Sequence, residues 1–410
     1  MVKKISFINA FEYKKVIVFF SLLLCFFNIC RAQQVVTGAQ QFPVYLSSLK
    51  GKKIGLVVNQ TSTVGNTHLV DTFQKLNIKI NVIFAPEHGF RGNYSAGEKV
   101  KSGIDKQSGM KVVSLYGTNK KPTPQQLKGL DYVVFDIQDV GARFYTYIST
   151  LHYVMEACAE SGIKLMILDR PNPNGFYVDG PVLDTNFKSF VGMHPVPIVH
   201  GLTVAEYAQM INGEGWLQNR IKCQLHIVKM QGYDHNYRYA LPIKPSPNLP
   251  TMSSVYLYPS LCLFEGTNYS LGRGTTKPFE CLGKPTNKEG DYVFTPKSIQ
   301  GVADNPPHMN QVCRGYDLSS FAENVLLKQP QLYIQWLIDL YAIDSSKGSF
   351  FNPFFDKLAG TDSLRLQIIT GTSEQEIRKS WEKNLQKYRT IRMKYLLYPD
   401  FRYIYKAREK

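Results

Sequence analysis

With 410 residues, 44% of them hydrophobic, the chain is too long for one ordinary core and too apolar for a disordered tail, so two packed domains are expected. Its 48 Lys and Arg against 32 Asp and Glu give a formal charge of +16, which favours an anionic partner. The basic residues are scattered with no arm or stripe, so nucleic acid is not expected, and an anionic cell-wall polymer suits the charge better.

Residues 1–32 read as a signal peptide: Lys3, Lys4, Lys14 and Lys15 precede the apolar run Val16 to Phe27, and Cys30-Arg31-Ala32 supplies small residues at −3 and −1. That run is too short for a permanent membrane anchor, and neither Cys25 nor Cys30 has the setting of a lipoprotein site. The expectation is an exported protein, periplasmic or extracellular, unanchored after cleavage, with a charge of about +12. The remaining cysteines (158, 223, 262, 281 and 313) are widely spaced without a CxxC pair. They indicate neither a disulfide framework nor a zinc site, though a bridge such as Cys262 to Cys281 stays open.

From residue 53 to about 200, strand-like runs alternate with helical ones, the pattern of an α/β parallel sheet covered on both faces. The strands expected are Ile54–Asn59, Ile80–Ala85, Val112–Tyr116, Tyr132–Ile137 and Lys164–Leu168. Leu69, Val70, Phe73 and Leu76 recur at helical spacing behind Thr67, and Ile148, Leu151, Met155 and Cys158 do so before Gly162. Thr203 and Glu206 make a capping box for a helix stopping at Gly213. The Pro-rich stretch 241–250 marks a crossing, dividing a domain at 33–258 from a smaller one at 259–410. The second part shows fewer strands, an apolar helix around 333–341, and a long helix capped by Ser373 and Glu376 with Ile377, Trp381, Leu385 and Tyr388 as its stripe.

In open α/β sheets ligands sit beyond the carboxyl ends of the strands. The run Val82-Ile83-Phe84-Ala85-Pro86-Glu87-His88-Gly89-Phe90-Arg91-Gly92 ends such a strand in a carboxylate and an imidazole; alternatively, Glu87 caps a turn and His88 packs. The same rim would gather Asn59, Asp136, Gln138, Asp139, Asp169 and Arg170. Residues 136–147 add Arg143 and Tyr145, a mixture suited to gripping a sugar, unless Asp139 and Arg143 merely pair on one helical turn. After the crossing, Glu265, Asn268 and Arg273 lie in a Gly-rich loop too polar for core. No phosphate loop, dinucleotide fingerprint, Gly-x-Ser-x-Gly elbow or His-Glu-x-x-His motif is present, so no cofactor is expected. A metal site would have to be assembled from rim carboxylates with His88, His194 or His200, and no metal is expected.

Together, 85–92, Phe135-Asp136-Ile137-Gln138-Asp139-Val140-Gly141, Asp169-Arg170-Pro171-Asn172-Pro173, Pro247-Asn248-Leu249-Pro250 and 263–268 resemble the NamZ family of exo-β-N-acetylmuramidases, in the same order across the whole mature chain. The resemblance implies a Rossmann-like domain, a smaller C-terminal α/β accessory domain and an active site between them. It also implies release of N-acetylmuramic acid from the non-reducing end of peptidoglycan fragments, with Glu87 matching the catalytic glutamate. By chemistry, His88, Asp136, Asp139 and Glu265 join Glu87 as catalytic candidates, the second carboxylate remaining open among the last three. Asn59, Gln138, Arg143, Tyr145, Arg170, Asn172, Asn248, Asn268 and Arg273 are candidates for holding substrate, one arginine of 143, 170 and 273 taking the lactyl carboxylate. The rival readings are a metal-dependent hydrolase on Asp136, Asp139 and His88, and a wall-binding protein without catalysis.

Overall fold

The computed structural model describes residues 35–91 and 102–401. The proposed signal segment, Cys25, Cys30 and Gly92 therefore lie outside the described residues.

Six parallel strands form the main sheet: β1 (Ile54–Val58), β2 (Ile80–Ala85), β3 (Lys111–Ser114), β4 (Tyr132–Asp136), β5 (Lys164–Leu168) and β6 (Leu225–Val228). Their spatial order is β3-β2-β1-β4-β5-β6, and the pair Gly103–Ile104 adds an antiparallel edge beside β3 to make seven. The chain winds one way from β1 to β3 and the other way from β4 to β6, so the order reverses between β1 and β4. Alternation divides the strands between two cores. Val57, Val82, Phe84, Val133, Phe135, Leu165 and Ile167 face one way, and Leu56, Val58, Ile83, Val134, Met166 and Leu168 the other.

Helix α1 (Leu69–Lys75) covers the second face with Leu69, Val70 and Phe73. On the first face lie α2 (Tyr147–Ser161) and α3 (Val204–Glu214). Several ends depart from expectation. His68, rather than Thr67, caps α1 by accepting from the Val70 amide, and both residues form a two-residue strand paired with Thr63 and Val64. Helix α3 runs one residue past Gly213 and is capped by a left-handed Gly215, with its Thr203/Glu206 capping box intact. The strands predicted to end at Tyr116 and Ile137 stop two residues and one residue earlier, where the backbone turns away at the rim.

The crossing 241–250 is irregular and leads into α4 (Met252–Leu261), which carries Pro259 inside it. A three-stranded antiparallel sheet then forms from β7 (Cys281–Lys284), β8 (Tyr292–Phe294) and β9 (Cys313–Asp317), in the order β7-β9-β8. Helix α5 (Gln335–Ile343) and the long α6 (Glu374–Met393) follow, the latter burying Ile377, Trp381, Leu385 and Tyr388 behind its Ser373/Glu376 box. One core runs from the main sheet into this part through Phe264, Phe279, Leu337 and Phe355, so apolar packing fixes the geometry between the two halves. The bridge left open between Cys262 and Cys281 is absent: all five described cysteines are buried free thiols. The Cys281 thiol instead meets the Lys277 carbonyl, 3.5 Å away.

Candidate active site

Beyond Ala85 the chain turns at once. The Gly89 amide donates to the Pro86 carbonyl at 3.0 Å, and His88 and Gly89 are both left-handed, at φ 67° and 76°. For histidine that conformation costs on the order of 1–2 kcal/mol, and it lets the chain reverse immediately after Glu87. Buried His88 places Nε2 3.1 Å from the Ser246 hydroxyl, tying this turn to the Pro-rich crossing.

The Glu87 carboxylate opens into a cleft of about 580 Å³, an ordinary volume for a small-ligand site. Thr146, at the N-cap of α2, makes no side-chain cap; its hydroxyl donates to Glu87 Oε2 at 2.7 Å. Glu87 thus sits at the positive end of a fifteen-residue helix. The Tyr116 hydroxyl bonds to the same carboxylate. Burial first, then the charge of Glu87, pushes the phenols of Tyr116 and Tyr147 well above their ordinary range, so both stay protonated donors near neutrality.

Aromatic rings line the floor in edge contacts: Tyr145 with Tyr147 at 4.9 Å, Tyr145 with Tyr258 at 5.6 Å, and Phe144 with Tyr258 at 5.4 Å. The Tyr145 hydroxyl is anchored on the Pro245 carbonyl at 2.7 Å. The C-terminal half supplies the opposite wall with Glu265, Arg273 and Phe279, and the strap 302–307 closes one side. Asn248 Nδ2 holds that strap through the Val302 carbonyl at 2.7 Å. The result is a ring-lined slot of mixed polarity with a few carboxylates and one guanidinium, suited to a sugar whose faces stack and whose hydroxyls find partners.

Of the residues singled out in the sequence, Glu87, His88, Tyr145, Asn248, Glu265 and Arg273 line this cleft. The others lie elsewhere, each for a physical reason. Asp136 is fully buried and receives Arg170 on both oxygens, Nε at 2.5 Å and Nη2 at 2.9 Å, so carboxylate and guanidinium neutralise each other. Arg143 does not pair with Asp139. It is fully buried, and its Nη1 and Nη2 donate to the carbonyls of Pro181, Val196, Leu358 and Ala359 at 2.7–2.9 Å, burial lowering its pKa to about 9. Asp139 accepts from the Gly141 amide at 2.7 Å, and burial raises its carboxyl to about 7. Asn59 accepts from the Thr61 amide and hydroxyl, Gln138 donates to the carbonyls of Asp139 and Pro171, and Asn172 donates to the Leu202 carbonyl. Half-buried Asn268 is fixed by its backbone, which donates to the Phe350 carbonyl and accepts from His308.

Asp136, Asp139 and His88 do not converge as metal ligands, because Arg170 and Ser246 take up the first and the last; no such cluster occurs among the described residues. Sequence reasoning overlooked Tyr116, Thr146, Ser246, Tyr258, Phe279 and 302–307 as cleft residues. Tyr116 was visible as the end of a predicted strand, and Thr146 and Tyr147 fall in the polar stretch already singled out. The strap carries no comparable signal.

Two family models match the chain: "Exo-beta-N-acetylmuramidase NamZ, N-terminal" over residues 54–253 and "Exo-beta-N-acetylmuramidase NamZ, C-terminal" over residues 256–398. The chain is 43% identical over 390 residues to the peptidoglycan β-N-acetylmuramidase NamZ of Bacillus subtilis, covering 89% of this chain and 92% of that protein. A crystal structure of a DUF1343 family protein from Bacteroides fragilis superposes with a TM-score of 0.83 at 46% identity, covering 90% of this chain and 99% of the other. A second DUF1343 protein from the same organism gives 0.75 at 27% identity, covering 90% of this chain and 100% of the other.

Proposed function

Because the chain belongs to the NamZ family of exo-β-N-acetylmuramidases, we propose that it releases N-acetylmuramic acid from the non-reducing end of peptidoglycan fragments, with Glu87 as the proton-transferring carboxylate. The observation that carries this reading is the placement of Glu87 in the ring-lined cleft, held by Thr146 and Tyr116 at the N-terminus of α2. Glycoside hydrolysis needs a carboxyl group to protonate the leaving oxygen and usually a second carboxylate to act as nucleophile or to activate water. The Thr146 hydroxyl on Oε2 and the Tyr116 phenol hold the carboxylate in one rotamer facing the cleft. Tyr145 and Tyr258 offer ring surface to the sugar, and Ser246 holds His88, which orients its neighbour through the left-handed turn.

The enzyme is proposed to act outside the cytoplasm after loss of residues 1–32, supported by the basic and apolar order of that segment. Among the described residues no helix is long and apolar enough to cross a membrane. N-terminal sequencing of protein recovered from the exported fraction should start at Gln33; a chain still starting at Met1 there contradicts the cleavage.

The function is tested by incubating the full-length mature protein with a chromogenic N-acetylmuraminide and identifying the released sugar by mass spectrometry. N-acetylmuramic acid is expected from the natural enzyme. Binding without turnover on muramic-terminated fragments would overturn the enzymatic reading in favour of a wall-binding protein.

A further inference from the structure

Among the described residues lining the cleft, the carboxylates are Glu87, Glu265 and Asp304, and Arg273 is the one Lys or Arg. Glu265 and Arg273 touch: Nε donates to Glu265 Oε1 at 2.8 Å, and Nη2 donates to that same oxygen. The guanidinium lies 4.9 Å over the Phe279 ring, which fixes its plane. Side-chain exposures of 20% for Arg273 and 24% for Glu265 show a pair that faces the cleft rather than one sealed in the core.

A guanidinium has five N–H donors in a rigid fork. Glu265 engages Nε–H and one Nη2–H, and among the described residues the Nη1/Nη2 edge has no other hydrogen-bonded acceptor. That edge matches a carboxylate bidentately. The other two arginines considered from the sequence are consumed elsewhere, Arg170 by Asp136 and Arg143 by four carbonyls.

Resting on the muramidase reading, we propose that Arg273 is the residue that selects muramic acid over glucosamine, by gripping the lactyl carboxylate on its Nη1/Nη2 edge, and that Glu265 is the positioning residue that presents it. Glu265 is then not the second catalytic carboxylate. Its charge sets the selectivity from behind, because one guanidinium bridges two carboxylates and the substrate competes with a partner already in place. Without Glu265 the fork would swing; with it, the free edge points where an anionic substituent can reach.

The test measures inhibition of the mature enzyme by N-acetylmuramic acid and by its neutral lactyl amide, with the chromogenic muraminide as substrate. The natural enzyme should bind the acid about 10- to 100-fold better than the amide, the range of a charge-assisted bidentate contact. Arg273→Ala should bring the two inhibition constants to within about twofold, and Arg273→Lys, which keeps the charge but loses the fork, should retain an intermediate ratio. Glu265→Gln keeps an acceptor for Arg273 and removes the competing charge. It should lower the KM and the inhibition constant of the acid, with any loss in kcat below about tenfold, whereas loss of an acid/base carboxylate costs about 10²–10⁴-fold. An unchanged acid-to-amide ratio in Arg273→Ala of unaltered melting temperature overturns the assignment of Arg273. Collapse of kcat in Glu265→Gln overturns that of Glu265. If the natural enzyme does not hydrolyse the muraminide, the muramidase reading itself fails, a result separate from either.

Discussion

Two strand ends on the same rim, one on either side of β1, behave in opposite ways. Beyond β2, Glu87 meets neutral hydroxyls and faces an open cleft. At the end of β4, Asp136 meets a guanidinium and is fully buried. In the sequence both are carboxylates closing an apolar run, with basic or aromatic residues nearby. The difference lies in what the adjoining strand contributes: Arg170 follows β5, which pairs with β4, while β3 beside β2 delivers Tyr116. A strand end locates chemistry, but the charge of the neighbouring strand end decides whether its carboxylate works on a substrate or holds the fold.

The comparison breaks most forcefully at Arg143, which belongs to the structural side of the rim. Arg143→Ala orphans four buried carbonyls drawn from both halves of the chain. A loss of roughly 3–5 kcal/mol in unfolding free energy is expected, read by urea denaturation. Activity per folded molecule should stay near normal, and a selective loss of muramic-acid preference would return Arg143 to the substrate site.

Asp139 sharpens the contrast through pH. Its carboxyl is raised from 3.8 to about 7 in the folded protein, chiefly by burial. A raised carboxyl contributes stability that is full below about pH 4 and is lost as pH rises towards 7, because there the folded state holds a proton that the unfolded state has released. The melting temperature should therefore fall between about pH 4 and 7, and Asp139→Asn should flatten part of that fall. Asp169, also raised to about 7 by burial, keeps a residual slope. An identical slope in the variant would place Asp139 outside this account.

A smaller effect than that of Arg143→Ala is expected at His88. His88→Gly relieves the left-handed strain but loses the Ser246 contact and empties the space of a buried ring, so a net loss of about 1–3 kcal/mol is expected. The turnover number should drop by about tenfold as Glu87 loses its brace, with KM nearly constant. A loss as deep as removal of Glu87 would make His88 a participant in the chemistry.

Much of the fold was legible because buried parallel strands read as unbroken apolar runs and the two capping boxes are local signals. Leu225–Val228 escaped because His226 interrupts a short run, and the C-terminal sheet because β7 and β9 carry Gly283, Gly315, Lys284 and Arg314 within four or five residues. For the cleft, the strand-end rule found Glu87 and the polar loop found Glu265 and Arg273. It could not separate Asp136 from Glu87, since the partner of Asp136 lies thirty-four residues away and arrives through strand pairing. Nor could it find the strap 302–307, whose Ala303, Asn305, Pro306 and Pro307 announce a loop but not what the loop covers.

The reading of this rim is that, of the two strand-end carboxylates flanking β1, Glu87 is catalytic and Asp136 structural. It is tested most directly by measuring kcat and melting temperature together for Glu87→Gln and Asp136→Asn on the chromogenic muraminide. Glu87→Gln should lose at least about 10²-fold in kcat at an unchanged melting temperature, while Asp136→Asn should melt markedly lower and, where folded, keep its rate within about tenfold. Near-normal turnover by Glu87→Gln, or an Asp136→Asn enzyme that is stable and inactive, would contradict it.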